Sequence, residues 1–366
     1  MLVRLGAMGD VINAFPAVAL MRAGLAEDAV IDWLIEPRWA ELLVAGGAEN
    51  LEATNAMPRG AQKPLVDRIH LANTQGWRRN WTSGATLSEI LNLREQLQES
   101  DYDMVVDLQG AIKSALLAWA AGTGCVVGGN NPRESLASLF HDEISESDST
   151  HVVDQRMDIS ETAVSEFRNE EWKFEGRNTL HPENFPRDPA AESWCEQQLT
   201  RLGIVKEKRF ALLTPGAGWP AKQWPAQKFG ELAYALAKEG VPCLVNAAPS
   251  EVELAEQVAA SSQDRAQTIS CSIGQLIALC RRTAVFIGGD TGPMHLANSL
   301  GVPTVALFGP TDPAFNGPYF QPNIVLRSPL SKTENSHSNP RDEGLESITV
   351  DEVMAAVRKM MESPRD

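Results

Sequence analysis

The chain has 366 residues, 43% of them hydrophobic and 22% charged, and this length predicts two domains rather than a single core. Its net charge of −16 argues against a general nucleic-acid binder, which presents a basic face, although an acidic protein can still hold an anion in a local basic pocket. No apolar run approaches the roughly 20 residues that span a bilayer, so any membrane contact is expected to be peripheral.

The first 20 residues are apolar but contain Arg4 and Asp10, and no A-x-A cleavage pattern follows them. This pattern predicts a strand, a turn and a helix rather than a signal peptide. The five cysteines are scattered and form no Cys-x-x-Cys pair, which argues against a disulfide framework and a zinc site. Reduced thiols of this kind are typical of a cytoplasmic protein.

Short apolar runs alternate with helical patterns in the first half, which predicts a parallel sheet covered by helices. The predicted strands are residues 1–5, 29–35 and 103–107, and the predicted helices are residues 10–23, 39–45, 88–99 and 111–121. Residues 76–84 are expected to form a basic loop with two tryptophans. The charged, Asn- and Pro-containing stretch 167–189 predicts a linker.

The same alternation returns after the linker, which predicts a second domain of the same class. The predicted strands are residues 210–214, 242–247, 285–288 and 304–308, and the predicted helices are residues 226–239, 251–261, 273–280 and 293–300. The polar segment 328–346 is expected to be mobile. Thr349 is a suitable N-cap for a final helix over 350–361.

The turn after the first predicted strand contains Gly6 and Gly9, which let the backbone approach a ligand closely. It lacks the G-x-G-x-x-G pattern because residue 4 is Arg4, and this argues against an NAD-dependent oxidoreductase. Asp10 follows at the start of the predicted helix. Two interpretations stay open: an N-cap carboxylate, or a general base at the mouth of an α/β crevice.

Three features of the second half fit a nucleotide diphosphate. The glycine turn 288–292 precedes a helix, whose first N–H groups and positive dipole end suit a phosphate. The turn 214–218 leads to Lys222, which can reach a phosphate as a point charge. Glu251 follows a strand and can accept from two ribose hydroxyls. The alternatives are a capped helix without ligand, a solvated lysine and a first-turn glutamate.

Four basic residues of the first half are interleaved with Trp77 and Trp81. They are Arg78, Arg79, Lys113 and Arg133. If they converge, they form a site for a phosphate- or carboxylate-bearing acceptor. Taken singly, each is typical of a solvated surface charge.

In this order the motifs resemble glycosyltransferase family 9, the ADP-heptose:lipopolysaccharide heptosyltransferases, and are most similar to its heptosyltransferase I branch. The segments that carry the resemblance are LGAMGDVINAFPA at 5–17, VVDLQGAIKSALLA at 105–118, PRESLASLF at 132–140, PGAGWPAKQWP at 215–225, GGDTGPMHLANSLGVPTVALFGPTDP at 288–313 and SITVDEVMAAV at 347–357. They are distributed over most of the chain, and the combination is more specific than any one of them.

The resemblance implies an α/β protein of the GT-B fold, with two Rossmann-like domains facing a central cleft. Residues 1–175 would bind the acceptor, 190–345 would bind the nucleotide sugar, and the helix 349–362 would pack back on the first domain. The implied activity is an inverting, metal-independent transfer of heptose from ADP-heptose to a Kdo or heptose of the lipopolysaccharide inner core. The alternatives are a GT-B transferase or epimerase acting on another nucleotide sugar, and a binding protein without turnover.

The resemblance also assigns residues to roles. The implied catalytic residues are Asp10, as general base, and Lys222, on the departing phosphate. The implied donor-binding residues are Gly216, Ala217, Gly218, Glu251, Cys271, Asp290, Thr291, Gly292, Met294 and His295. The implied acceptor-binding residues are Gly9, Arg78, Arg79, Gln109, Lys113 and Arg133.

The expected partners are ADP-heptose, as co-substrate rather than cofactor, and an anionic acceptor of the lipid A–Kdo type. No metal, no other cofactor and no nucleic acid are expected. The implied location is the cytoplasm, with peripheral contact to the inner face of the cytoplasmic membrane left open.

Overall fold

A computed structural model describes residues 1–47, 49, 51–174, 176, 180–204, 209–334 and 339–362. The chain divides into two compact units, Met1–Pro186 and Arg187–Asp366, and this division lies within the stretch 167–189. Each unit contains a six-stranded sheet whose described pairings are all parallel. The strands of both sheets are mostly buried, as expected when helices cover both faces.

The first sheet has the strand order β3-β2-β1-β4-β5-β6. Its strands are β1 (Leu2–Val3), β2 (Asp32–Ile35), β3 (Arg68–Leu71), β4 (Val105–Asp107), β5 (Val126–Gly129) and β6 (Glu143–Ser145). The order reverses between β1 and β4, and the carboxyl ends of such strands border a crevice in open parallel sheets. This topology brings the turn after β1 and the turn after β4 to the same edge.

In the described part of the first unit, seven α-helices accompany this sheet. They are α1 (Met8–Ile12), α2 (Phe15–Gly24), α3 (Leu51–Ala56), α4 (Thr74–Arg79), α5 (Gly84–Glu99), α6 (Ile112–Ala120) and α7 (Val152–Arg168), with 3-10 helices at Pro37–Leu42, Ser135–Phe140 and Pro182–Asn184. α2 packs against α7, while α5 packs against α6. Because parallel crossovers are right-handed, connections that run in opposite directions along the sheet lie on opposite faces.

The local patterns predicted this unit incompletely. The predicted helix 10–23 is two helices, since Pro16 occupies the first turn of α2 and no helix crosses Asn13 and Ala14. Part of the predicted loop 76–84 is helical, because the Asn73 side chain accepts from the Gly76 N–H and starts α4. β3, β5, β6 and α7 were not predicted from the sequence.

The second sheet has the strand order β12-β11-β10-β7-β8-β9. Its strands are β7 (Ala211–Thr214), β8 (Cys243–Asn246), β9 (Ala266–Ile269), β10 (Val285–Gly289), β11 (Thr304–Phe308) and β12 (Asn323–Arg327). The helices are α8 (Pro189–Arg201), α9 (Ala226–Lys238), α10 (Val252–Ser261), α11 (Ile273–Cys280), α12 (Gly292–Ser299), α13 (Pro313–Asn316), α14 (Glu343–Ser347) and α15 (Val350–Glu362), with 3-10 helices at Pro220–Lys222 and Pro249–Glu251. The first strands of the two sheets are both central.

The final helix packs in the core of the second unit, while the expectation that it also contacts the first domain stays a prediction. α15 buries Val353, Met354, Val357 and Met360 against the core that contains β10 and β11. These residues recur every three or four positions, so they form one apolar stripe. That stripe packs on α9 and the neighbouring strands, where its burial stabilises the second unit.

The polar segment 328–346 is tied to the second unit at several points. Ser331 donates to Asp342 at 2.6 Å, and the Trp219 indole N–H donates to the Asn339 carbonyl oxygen at 2.9 Å. Residues 335–338, about which mobility was also expected, lie outside the described residues. No helix in the described parts of the chain combines the length and apolar character needed to cross a membrane.

Candidate functional site

Asp10 lies at the carboxyl edge of the first sheet, in the third position of α1. The helix begins at Met8 with Ala7 as N-cap, so Asp10 is not the N-cap residue itself. Its carboxylate oxygen Oδ2 accepts from the Ala7 N–H at 3.3 Å, while Oδ1 contacts Arg4 at 2.6 Å and Arg156 at 2.9 Å. Arg156 also donates to the Asp10 carbonyl oxygen at 2.8 Å. Two guanidinium groups therefore fix this carboxylate.

The charges around Asp10 decide its ionisation. Burial alone would raise the pKa of Asp10, but the charges of Arg4 and Arg156, with hydrogen bonds from Arg156 and Ala7, lower it to about 2. Burial lowers the pKa of Arg156 to about 9. Asp10 is thus ionised at neutral pH, with one-third of its side chain exposed to solvent. The arrangement presents a carboxylate acceptor at the sheet edge.

The turn after β4 supports the turn that contains Asp10. Asp107 is buried, and its carboxylate accepts from the N–H groups of Gln109 and Gly110 and from the Ser114 hydroxyl. Gln109 is also buried, and its Oε1 accepts from the Leu5 N–H at 2.9 Å. Gln109, implied as an acceptor ligand, therefore bridges the two turns in this structure.

The basic acceptor-side residues lie on neighbouring loops and helix ends. Lys113 is exposed at the start of α6, and its Nζ contacts the Thr74 hydroxyl at 3.5 Å. Arg133 is exposed, in a loop that packs against Gly110. Gly110 has a φ of +62°, and a Cβ added to it would lie 3.1 Å from the backbone nitrogen of Arg133. These contacts bring Lys113 and Arg133 to the edge that also contains Asp10.

Arg78 and Arg79 lie in the last turn of α4 and are exposed. α4 begins at Thr74, whose hydroxyl donates to Glu36 after β2 and lies beside Lys113. Gly9 lies within α1 next to Asp10. All six residues implied on the acceptor side therefore belong to elements that start or end at the carboxyl edge of the first sheet.

In the second unit, the turn after β7 packs closely against a carboxylate. A Cβ added to Gly216 would lie 2.2 Å from the Glu251 carboxyl carbon, whereas one added to Gly218 would meet nothing within 4 Å. Glu251 Oε2 accepts from the Ala248 N–H at 3.1 Å. The Ala217 carbonyl oxygen accepts from Gln223 at 2.9 Å, so this turn is held on both sides.

Lys222 and Asp290 form an ion pair at the adjacent turn, with Nζ 2.6 Å from Oδ2. The other carboxylate oxygen of Asp290 contacts His295 Nε2 at 3.3 Å and accepts from the Asn316 amide at 3.1 Å. Burial alone would raise the pKa of Asp290, but hydrogen bonds and charges from His295 and Lys222 hold it well below its usual range. Asp290 therefore acts as a fixed anion that orients three side chains.

Thr291 is the N-cap of α12, which begins at Gly292 with Pro293 in its first turn. The first N–H groups of a helix have no partner within it and suit an anion. Met294 and His295 are buried, and the backbone N–H of each donates to the Thr291 carbonyl oxygen. A Cβ on Gly289 would meet the Lys222 carbonyl oxygen at 2.7 Å, which keeps the lysine turn close to this helix start.

Cys271 lies two residues after the end of β9. Its thiol contacts the Asn246 side-chain oxygen at 3.2 Å, and the residue is half-buried. Asn246 ends β8, so Cys271 belongs to the same carboxyl edge as Gly216, Glu251 and Lys222. The residues implied on the donor side are thus gathered at one edge of the second sheet.

Comparison with known proteins identifies the family. The sequence profile of glycosyltransferase family 9 (heptosyltransferase) matches residues 90–345. The chain belongs to glycosyltransferase family 9. Among its relatives, lipopolysaccharide heptosyltransferase 1 of Pseudomonas aeruginosa is 28% identical, covering 90% of this chain and 83% of the relative. The Escherichia coli K12 protein of that name is 25% identical, and the alignment covers 95% of this chain and 99% of that protein.

Solved structures of the family have the same fold. The family 9 glycosyltransferase of Veillonella parvula aligns with a TM-score of 0.78 at 20% identity, covering 98% of this chain and 96% of that one. The Escherichia coli heptosyltransferase WaaC with ADP aligns with a TM-score of 0.73 at 22% identity, covering 98% of each chain. The protein is a glycosyltransferase of the GT-B fold, as the sequence predicted.

Several residues of this site are not marked by any local sequence pattern. Arg156 is far from Asp10 in sequence, and no local pattern marks it. Arg4 was noted only as an interruption of G-x-G-x-x-G, although its Nη1 donates to the Leu108 carbonyl oxygen and its Nη2 pairs with Asp10. Asn316 and Asp107 were also missed, because their importance depends on contacts rather than on motif positions.

Proposed function

We propose that this enzyme transfers heptose from ADP-heptose to a Kdo or heptose residue of a lipopolysaccharide inner core, with inversion and without a metal. The observation that supports it most strongly is the similarity to proteins named lipopolysaccharide heptosyltransferase 1 over 90% and 95% of the chain. A related solved structure contains ADP-2-deoxy-2-fluoro heptose, which supports the choice of donor.

On the donor side, Lys222 and the start of α12 would stabilise the charge that grows on the departing diphosphate. Preorganised donors of this kind lower a barrier because they need no rearrangement during the reaction. The Asp290 carboxylate, 2.6 Å from Lys222 Nζ, keeps the lysine extended toward the turn. Glu251, beside Gly216, is proposed to accept from the ribose hydroxyls, and Cys271 to border the adenine.

On the acceptor side, Asp10 is proposed to take the proton from the attacking hydroxyl as the glycosidic bond forms. Proton transfer to a positioned side chain typically contributes about 10²–10⁴-fold to a rate. The paired guanidinium groups of Arg4 and Arg156 keep Asp10 ionised and aimed. Lys113 and Arg133, with Arg78 and Arg79, would bind the anionic groups of the acceptor.

The charge stabilisation proposed for Lys222 and α12 is the role that a divalent cation plays in other transferases. In the described residues, no cluster of three or more His, Cys, Asp or Glu side chains is arranged to hold a metal ion. The proposal also includes a cytoplasmic location and peripheral contact with the membrane that contains the lipid acceptor.

The test is transfer by the purified enzyme, with ADP-heptose and a Kdo-bearing lipid A acceptor, measured as ADP release and as glycosylated product. We expect turnover with this donor, an inverted anomeric centre by NMR, and the same rate after EDTA treatment. Parallel reactions with UDP- and GDP-sugars, with and without acceptor, test the alternatives. Faster transfer from another nucleotide sugar, or epimerised donor without transfer, would contradict the proposal, as would ADP binding without turnover.

A further inference from the structure

Several large apolar side chains of the first unit are exposed on neighbouring helical elements. We call this set the outer helical face. Its residues are Trp81, Leu87, Ile90, Leu91, Leu116, Trp119, Leu136 and Leu139, all exposed to solvent. They belong to α5, α6, the turn before α5 and the 3-10 helix 135–140, and α6 packs against both α5 and that 3-10 helix.

The apolar residues of α5 form a stripe separate from the one that contacts the core. Leu93 and Leu97, with Thr86, are buried. Leu87, Leu91 and Arg94 recur at three- and four-residue spacing, so they lie on one exposed flank of the helix. The opposite flank contains Glu89, Asn92, Gln96 and Glu99. A helix that only covered the sheet would need no second apolar stripe.

The same division occurs on α6. Ser114, Ala115 and Ala118 face the core, and Leu117 packs against the cluster that contains Leu93 and Leu97 of α5. Lys113, Leu116 and Trp119 are three residues apart and point outward. Trp119 is 65% exposed, and next to α6 Leu139 is 77% exposed. The outward stripes therefore belong to elements that pack side by side in the first unit.

Cations border this surface, although the chain as a whole has a net charge of −16. Arg78 and Arg79 precede Trp81, which is 79% exposed, and Arg94 and Lys113 lie in the two outward stripes. Among the residues that the structure describes, none of these four cations forms an ion pair with a carboxylate. Their charge is therefore available to an external anion.

Of the carboxylates near this surface, Glu89 and Glu134 have partners within the chain, whereas Glu95 is exposed on α5 four residues after Leu91. Glu89 accepts from the Trp77 indole at 2.8 Å, and Glu134 accepts from the Ile112 N–H at the start of α6. α4, α6 and the 3-10 helix 135–140 contain no Asp or Glu. An anionic bilayer offers both apolar depth and negative charge, and so it matches both the apolar side chains and the unpaired cations of this face.

We propose that the outer helical face docks on an anionic lipid bilayer. Exposed tryptophans beside arginines are typical of the interface between head groups and acyl chains, where the indole body is apolar and its N–H is solvated. Leucines of the outward stripes enter the interface, and Arg94, which has no proposed role in acceptor binding, binds a lipid phosphate. This docking proposal rests on the proposed function in one respect: the lipid-linked acceptor of the enzyme would lie in that bilayer.

The test is co-sedimentation of the full-length protein with vesicles of phosphatidylcholine alone or of phosphatidylcholine with phosphatidylglycerol. We expect binding to the anionic vesicles that weakens with added salt. The double variant Trp119→Glu/Leu139→Glu should bind the anionic vesicles with an affinity reduced about tenfold or more, because it places two negative charges in the interface. Val30→Glu and Leu330→Glu, at exposed apolar positions elsewhere, should bind like the natural protein.

A second measurement locates the contact: brominated lipids should quench tryptophan fluorescence, and less so in Trp81→Phe/Trp119→Phe. Protein that stays in the supernatant with anionic vesicles, or equal binding of the Glu double variant, would overturn the proposal. So would a concentration-dependent dimer that this variant abolishes without any vesicle binding. Transfer to a delipidated acceptor, measured in parallel, is expected to be retained by the Glu double variant. If the natural protein itself does not catalyse this transfer, the proposed function is contradicted, whereas the docking surface is not.

Discussion

The Arg156 guanidinium donates both to the carbonyl oxygen of Asp10, at 2.8 Å, and to its carboxylate, at 2.9 Å. Arg156 is buried in α7, so one arginine fixes both the backbone and the side chain of the proposed base. Together with Arg4, it makes Asp10 an ionised and oriented acceptor. Arg4 and Arg156 together keep the pKa of Asp10 near 2, well below the neutral range in which a general base is most effective.

Arg156→Gln is expected to raise the pKa of Asp10, because it removes one of the two charges that lower it. The acid limb of the kcat/KM profile should therefore move to higher pH, by about one unit. The measurement is the pH dependence of transfer for both proteins. Arg168→Gln, at a half-exposed position of the same helix, is the control, and an acid limb that does not move would remove Arg156 from this role.

The same pair links folding stability to pH. The pKa of Asp10 is lowered in the folded chain, so its contribution to stability is complete above its unfolded pKa of about 4 and is lost as pH falls toward 2. Because the side chain is one-third exposed, we expect this contribution to be about 1–2 kcal/mol. Urea unfolding between pH 5 and about pH 2.5 should show a smaller loss of stability in Asp10→Asn than in the natural protein.

Asp10→Asn is expected to lower kcat by about 10²–10⁴ while leaving ADP-heptose affinity nearly unchanged. The amide preserves the shape of the side chain but leaves the charges of Arg4 and Arg156 without their carboxylate. Thermal unfolding must therefore be measured beside turnover, since an unpaired buried charge destabilises a fold. Unchanged turnover in a folded Asp10→Asn protein would exclude Asp10 as the base.

Lys222→Met should weaken both ADP binding and kcat, the latter by about 10²–10³ if the lysine stabilises the leaving group. It also leaves Asp290 with only His295 and Asn316 as the partners described above. Calorimetric titration with ADP and steady-state kinetics measure the two effects. Lys238→Met, at a lysine that stacks on Tyr234, is the matched control, and equal loss in both variants would contradict a specific role.

Gly216→Ala tests the contact between the first turn of the second unit and Glu251. The new Cβ would lie 2.2 Å from the Glu251 carboxyl carbon, so that side chain must move away. We expect a higher KM for ADP-heptose and weaker ADP binding by calorimetry. Gly218→Ala, two residues later, meets nothing within 4 Å and should have a much smaller effect. An equal effect of both changes would show that backbone flexibility, and not the position of Glu251, is responsible.

The sequence determined the class of fold and the chemistry of the residues at the two sheet edges. Strand and helix periodicities are local, so the alternation that predicts parallel sheets is visible in short windows. Glycine turns after β1, β7 and β10 also follow local rules, and they located Asp10, Lys222 and the 288–292 turn in advance. The resemblance to family 9 added roles to those positions, and the family was confirmed.

The distant side chains that complete those positions, and the packing of the last helix, depend on tertiary contacts. Arg156 reaches Asp10 across 146 residues, Asn316 reaches Asp290 across 26, and the stripe of α15 fits the core of the second unit. Short edge strands such as β3 and β6 gave weak local patterns and form through pairing with their neighbours. Such choices depend on burial and charge brought together by folding, which a local pattern does not encode.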